Sequence, residues 1–158
     1  MLSNSNLFQF YVSQFTDSLL VTFKQDLFIA GSDTSAITTE WAMAELLRKP
    51  EVLQKTRREL IEVIGSERAV KESDMDQLPY LQAVVKETMR LHPAAPLLLP
   101  YKAKNHAEIC GYTIPKDAQV LVNAWAIGRD PKYWNDPFLF CPERLLDTSL
   151  DYRGRDFE

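Results

Sequence analysis

The stretch from Thr16 to Lys49 limits the fold more than any other part of the chain, because it reads as one long helix. Its first part is apolar through Leu19, Leu20, Val21, Phe23, Leu27, Phe28 and Ile29. Its last part is apolar again through Trp41, Ala42, Met43, Ala44, Leu46 and Leu47. Arg48 and Lys49 place positive charge at the C-terminal end, where the helix dipole favours it, and Pro50 stops the helix. Between the two apolar parts lies Ala30-Gly31-Ser32-Asp33-Thr34-Ser35, small and polar where a buried helix should be bulky. A glycine inside a helix costs about 1 kcal/mol relative to alanine. Gly31, Thr34, Ser35 and Thr38 share one helical face, and the Thr34 hydroxyl can bond the carbonyl of Ala30 and bend the helix there. The expectation is a shallow polar notch in a buried helix. Such a notch is either a seam where a second helix packs closely or a ligand site, and the residues leave both open.

Downstream, proline and glycine punctuate the chain. Pro50 and Glu51 open a second helix that runs to Ile64, with Gly65 as its stop. Leu53, Leu60 and Ile64 form its apolar stripe, and Glu51 and Lys55 are spaced as an ion pair. Residues 65–77 are a polar connection. A third helix runs from Leu78 or Pro79 to Leu91 and ends at His92-Pro93. The segment Pro93-Ala-Ala-Pro-Leu-Leu-Leu-Pro100 cannot continue a helix and reads as extended chain pressed against an apolar surface. Residues 107–123 read as strands around turns at Cys110-Gly111 and Pro115-Lys-Asp117, and Asn123–Ile127 starts a short helix. Tyr133 to Glu158 reads as irregular. Residues 1–15 are uncharged and carry no assignable pattern, with a helical continuation upstream of Thr16 left open. The fold class is mainly α with a small β-sheet.

Composition excludes several functions. A net charge of −4 with no basic stripe argues against general nucleic-acid binding. Cys110 and Cys141 are the two cysteines and form no CxxC pair, which speaks against a disulfide framework or a structural zinc site. No apolar run reaches membrane-spanning length, and the N-terminus has no basic segment of the signal-peptide type, so a soluble intracellular chain is expected. His92 stands at a helix end and His106 in a polar loop, and neither has a partner at metal-ligand spacing. No metal site is assigned.

Glu87-x-x-Arg90 places a carboxylate and a guanidinium as stacked helical neighbours, yet Glu45-x-x-Arg48 repeats that spacing. Context separates the copies. Glu87 lies in a mixed apolar helix followed by His92-Pro93, and a further charged element, Pro142-Glu143-Arg144, comes much later. A carboxylate gripped by two guanidinium groups is held rigidly when buried.

In order, Ala30-Gly31-x-Asp33-Thr34-Ser35, Glu87-x-x-Arg90-Leu91-His92-Pro93 and Phe140-x-Pro142-Glu143-Arg144 resemble the oxygen-binding helix, the Glu-x-x-Arg helix and the Pro-Glu-Arg motif of the cytochrome P450 family, the haem-thiolate monooxygenases. Gly111-Tyr-Thr-Ile-Pro-Lys116, Asn123-Ala-Trp-Ala-Ile-Gly-Arg-Asp-Pro131 and Asp151-Tyr-Arg-Gly-Arg-Asp-Phe157 are similar to plant enzymes of the geraniol 8-hydroxylase type. The resemblance runs from about residue 25 to the end and implies a partial P450 fold over residues 16–158.

The resemblance also implies roles. Ala30 and Gly31 would lie over haem (heme, iron protoporphyrin) and leave room for O2, and Thr34 with Asp33 would deliver the protons that let the O–O bond break. Glu87, Arg90 and Arg144 would form a buried structural triad. Ala94, Ala95, Pro96, Leu97 and Leu98 would line the substrate pocket with Phe28 and Ile29. NADPH electrons would arrive through a cytochrome P450 reductase, and the substrate would be a small lipophilic, terpenoid-like molecule. The family implies the cytosolic face of the endoplasmic reticulum membrane; without an anchor, this chain alone would be cytoplasmic.

Two departures stand out. Tyr101 occupies a position where plant relatives usually carry a basic residue facing a haem propionate. The family's haem loop, Phe-x-x-Gly-x-Arg-x-Cys-x-Gly, would follow Phe157-Glu158, and Cys141 lacks that loop's surroundings, so the axial thiolate is not supplied. The chain is therefore expected to be an internal fragment, inactive alone. The alternative is a truncated, non-catalytic helical protein that binds no haem. An unrelated helical interaction module whose notch is a packing seam is a third reading.

Overall fold

The computed structural model describes residues 4–66 and 68–146. The expected irregular run beyond Leu146, with its Asp151–Phe157 stretch, lies outside the described residues. Four α-helices, two short 3-10 helices and four strands follow one another among them. Helix α1 spans Asn4–Arg48, α2 Pro50–Ile64, α3 Pro79–Leu91 and α4 Ala124–Ile127. The 3-10 helices are Glu72–Gln77 and Pro142–Leu145. The chain divides into two compact units, Met1–Ile37 and Thr38–Glu158.

Helix α1 begins well before Thr16 and takes in most of the stretch that had no assignable pattern. It ends at Arg48, one residue short of the expected Lys49, and α2 starts at Pro50, whose missing N–H costs nothing in a first turn. Gly65 closes α2 at φ +80°, a conformation strained for any side chain, and its N–H bonds the Ile61 carbonyl at 3.0 Å.

The buried side of α2 is not the expected stripe. Val52 and Thr56 are buried, while Leu53, Leu60 and Ile64 are half-buried. Thr56 turns its hydroxyl onto the Val52 carbonyl at 2.9 Å, which satisfies a polar group that burial would otherwise strand. Lys55 does not pair with Glu51; it bonds Glu143 instead. Helix α3 starts under a carboxylate from α2. Glu59 accepts from the amides of Tyr80 at 2.7 Å and Leu81 at 2.9 Å, which satisfies two donors that a helix start leaves open.

The core gathers on α3. Leu46 of α1, Val52 of α2, Tyr80, Val84 and Leu91 of α3 and Phe140 form one cluster, and Ala83, Trp134 and Leu145 a second. The strands make two antiparallel pairs. β1 (Tyr101–Lys102) joins β4 (Gln119–Val120), with Tyr101 opposite Val120. β2 (Ala107–Ile109) joins β3 (Tyr112–Ile114), with Ile109 opposite Tyr112 across the Cys110-Gly111 turn. Of the residues after the Pro115-Lys-Asp117 turn that were expected to be strand, only Gln119 and Val120 are, and β1 lies outside the expected 107–123 range. Asn123 caps α4, its side-chain oxygen accepting from the Ala126 amide at 3.0 Å. No helix among the described residues is long and apolar enough to cross a membrane.

Candidate functional site

The best-built polar centre sits on the buried side of α3. Glu87 and Arg90 lie one helical turn apart, which brings the carboxylate and the guanidinium face to face. Arg90 donates from Nε to Oε2 and from Nη2 to Oε1, both at 2.8 Å, a two-pronged contact. Arg144, from the 3-10 helix Pro142–Leu145, donates its Nε to the same Oε1 at 3.0 Å, and the Cys141 amide donates there at 3.0 Å. The side chains of Glu87 and Arg90 are 0% and 1% exposed, so this carboxylate exchanges water for four protein donors.

The remaining guanidinium N–H groups reach carbonyls of the segment between α4 and Arg144. Arg90 donates to Gly128, to Pro137 at 2.8 Å and to Leu139 at 3.2 Å. Arg144 donates to Asn135 at 2.6 Å, to Asp136 at 3.3 Å and to Leu139 at 3.2 Å. The Trp134 ring lies 5.0 Å from the Arg90 guanidinium carbon, a cation–π placement. Irregular backbone is thus held by arginine where no ladder could hold it. Gly128 is required by approach rather than by dihedral angle. A Cβ there would stand 2.5 Å from the Arg90 carbonyl oxygen.

Beside this centre a second pair fastens α2 to the same segment. Glu143 accepts from Lys55 and from the Tyr80 hydroxyl, the latter at 3.0 Å. Burial pushes the Glu143 carboxyl up, but hydrogen bonds from Lys55, its own backbone amide and Tyr80 outweigh this and bring it down to about 2. Burial, with the Glu143 contact, raises the Tyr80 hydroxyl. In the connection before α3, Arg68 grips Asp74 with two bonds of 2.7 and 3.0 Å. Those bonds and the Lys71 amide hold the Asp74 carboxyl at about 2.

The Thr34 bond expected at the small-residue stretch of α1 is present. Thr34 Oγ1 donates to the Ala30 carbonyl at 2.6 Å and Ser35 Oγ to the Gly31 carbonyl at 2.9 Å. A Cβ at Gly31 would meet nothing within 4 Å. The expectation of a buried helix does not hold there. Ala30 to Ile37 are exposed, and Val21, Phe23, Leu27 and Phe28 are each more than 60% exposed. The Ile29 side chain lies outside the described set.

The segment after α3 differs more from expectation. It is not extended chain under an apolar cover. Ala95 to Leu98 form a turn, with the Leu98 amide on the Ala95 carbonyl at 3.0 Å and Leu98 at φ +52°. Leu97, Leu98 and Leu99 are 45%, 43% and 78% exposed. The Trp125 amide holds the turn from outside, donating to the Pro96 carbonyl at 3.1 Å. Ala94 is half-buried and Ala95 and Pro96 are exposed.

Among the described residues no group of three or more His, Cys, Asp or Glu side chains is placed to hold a metal ion. Cys110 is exposed at the hairpin tip; Cys141 is half-buried, its amide on Glu87 and its Sγ 3.6 Å from the Glu143 carboxylate. The Cys141 thiol donates to that carboxylate and its amide to Glu87, so the residue is engaged by protein groups on both sides. Against a haem group the fit is one-sided. Gly31 leaves the open space that a haem group would need on α1, whereas Cys110 is exposed at a hairpin tip and Cys141 is engaged with Glu143.

The comparisons with known proteins agree with this architecture. The cytochrome P450 family model matches residues 3–156, and the chain belongs to that family. The sequence is 54% identical to geraniol 8-hydroxylase of Catharanthus roseus over 84% of this chain and 27% of that enzyme. It is 52% identical to iridoid oxidase of the same plant over 92% of this chain and 28% of the relative. It is 59% identical to (S)-N-methylcoclaurine 3'-hydroxylase isozyme 1 of Eschscholzia californica over 84% and 27%. A solved zebra fish cytochrome P450 with progesterone superposes with a TM-score of 0.73 at 41% identity, covering 78% of this chain and 29% of that one. The chain is thus a P450 of plant type, and it spans little more than a quarter of the length of these relatives.

Proposed function

We propose that this chain is the part of a haem-dependent monooxygenase that supplies the oxygen-side helix and the structural triad. Its substrate would be a small lipophilic plant metabolite. The observation that carries the reading is Glu87 held by Arg90 and Arg144, the second and third family motifs joined across 57 residues. The hydroxylated terpenoid and alkaloid named for its relatives support the substrate class.

Haem would supply oxygen activation by one-electron chemistry, fed with NADPH electrons by a reductase at the endoplasmic reticulum membrane. The chain's own residues would do the rest. Ala30 and Gly31 leave space for O2. The Thr34 hydroxyl, already a donor to Ala30, can turn to pass a proton, and Asp33 beside it can replenish that proton. Phe28, Ile29 and Ala94 to Leu98 would present apolar surface to the substrate. Glu87, Arg90 and Arg144 touch no reacting atom; they hold the backbone in place.

Residues 1–158 alone are proposed to be inactive, since Cys110 is exposed on a hairpin and the Cys141 thiol is directed at the Glu143 carboxylate, so neither is set aside to hold iron. Reconstituted with haem, they should give no carbon monoxide difference band of the thiolate type, and such a band would overturn this part. The positive part is tested by grafting the matched stretch into the Catharanthus geraniol 8-hydroxylase. The graft should keep haem and hydroxylate, and Thr34→Ala within it should lower product formed per NADPH by about 10²-fold. A graft that folds, binds haem with thiolate ligation and never hydroxylates would sink the reading.

A further inference from the structure

Two groups that the proposed chemistry does not use meet where α1 and α3 end. Glu45 is buried, 5% exposed, in the last turn of α1, an end where the helix dipole disfavours a carboxylate. His92 closes α3, its amide on the Thr88 carbonyl at 2.7 Å. The His92 Nε2 stands 2.9 Å from Glu45 Oε1, and a carboxylate oxygen only accepts, so Nε2 donates. The flat of the same imidazole lies on the Trp41 indole, centroids 4.0 Å apart and planes 2° from parallel. Trp41 and Glu45 are four residues apart on α1 and so share a face. One ring is therefore fixed by its edge and by its face at once. Arg48 also approaches Glu45, but at 3.4 Å and with a side chain 75% exposed, which makes it the weaker partner.

Directly after His92 comes the Pro93–Leu98 segment with its Ala95–Leu98 turn, in which Pro93 and Pro96 carry no amide donor. That turn is exposed, and its described hydrogen bonds are those of Leu98 and Trp125. We infer that His92 is a positioning residue: clasped by Glu45 and Trp41, it sets the direction in which the Pro93–Leu98 segment leaves α3. That this segment meets substrate rests on the function proposed above, whereas the clasp itself does not.

Amide hydrogen exchange on the whole chain tests the clasp. His92→Phe keeps a flat ring on Trp41 but removes the donor to Glu45. Exchange at the Leu98 and Trp125 amides should rise about tenfold, as for loss of one charge-assisted hydrogen bond. The Tyr80 and Leu81 amides, held by Glu59 at the far end of α3, should not change. His92→Gln, which can again donate to Glu45, should return the two amides to near their original rates. Trp41→Leu, at a ring 42% exposed, leaves the core intact and should give the same two-amide pattern more weakly. It serves as the deciding variant if His92→Phe does not fold. Unchanged Leu98 and Trp125 amides, acceleration shared equally with Tyr80 and Leu81, or no rescue by glutamine would each overturn the inference. None of these readouts involves haem or turnover, so the proposed function can fail while the clasp stands.

Discussion

The chain carries the Glu-x-x-Arg spacing twice, and the two copies reach different physical states. In the α3 copy, Arg90 is 1% exposed and contacts Glu87 at 2.8 Å through two prongs. In the α1 copy, Arg48 is 75% exposed and stands 3.4 Å from Glu45 through one. Spacing alone puts each pair on one helical face. What buries the first pair is the return of the chain from Gly128 to Arg144, which offers carbonyls to both arginines and a second cation to Glu87. Among the described residues the second pair meets no such return, and its carboxylate turns to His92 instead. A buried ion pair is thus a property of the third partner, not of the motif.

The largest test of that contrast is Glu87→Gln against Glu45→Gln. Loss of the Glu87 charge leaves two arginines without their counter-ion and should cost about 3–5 kcal/mol. The amide that replaces the Glu45 carboxylate can still accept from His92, so that change should cost about 1 kcal/mol or less. Urea midpoints measured side by side decide it, and equal costs would erase the distinction. Next in size is Gly128→Ala, whose methyl group would press on the Arg90 carbonyl and should cost about 1–3 kcal/mol by the same assay. A cost near zero would mean that the return segment is not pinned there.

Acid sharpens the comparison from another side. The Glu143 carboxyl is brought from its ordinary 4.5 to about 2, so it stabilises the fold fully above about 4.5 and loses that contribution as pH falls toward 2. Glu143→Gln should therefore flatten the fall in thermal stability between pH 4.5 and 2. At neutral pH the change should cost no more than about 1 kcal/mol, because the Lys55 pair is open to solvent. An unaltered acid profile would contradict this. The smallest effect is expected for Arg48→Ala, about 0.3 kcal/mol, the value of an exposed pair one turn apart.

Much of the helical frame was legible in the sequence, for a physical reason. Proline at a first turn and glycine past a last turn act through the local backbone, so Pro50, Gly65, Pro79 and His92-Pro93 mark helix ends without tertiary help. The Thr34 bond to Ala30 is local in the same sense. Contacts distant in sequence were not legible from spacing. Glu51 and Lys55 looked like partners, yet Lys55 prefers Glu143, 88 residues away. Glu59 gives no sign of capping a helix whose Tyr80 amide lies 21 residues later. The place of Arg144 beside Glu87 entered through family resemblance alone. Leucine at φ +52° in the Ala95–Leu98 turn is a conformation that no residue preference announces, which is why extended chain was the natural expectation there.

The stacking of Trp134 against Arg90 has a practical consequence. Of the three indoles, Trp134 is 3% exposed, whereas Trp41 and Trp125 are 42% and 47% exposed. Only the Trp134 ring should emit from an apolar surrounding, so the blue edge of the intrinsic fluorescence reports on one residue. Because that ring faces the guanidinium that grips Glu87, its emission is a built-in optical gauge of whether the arginine centre is closed.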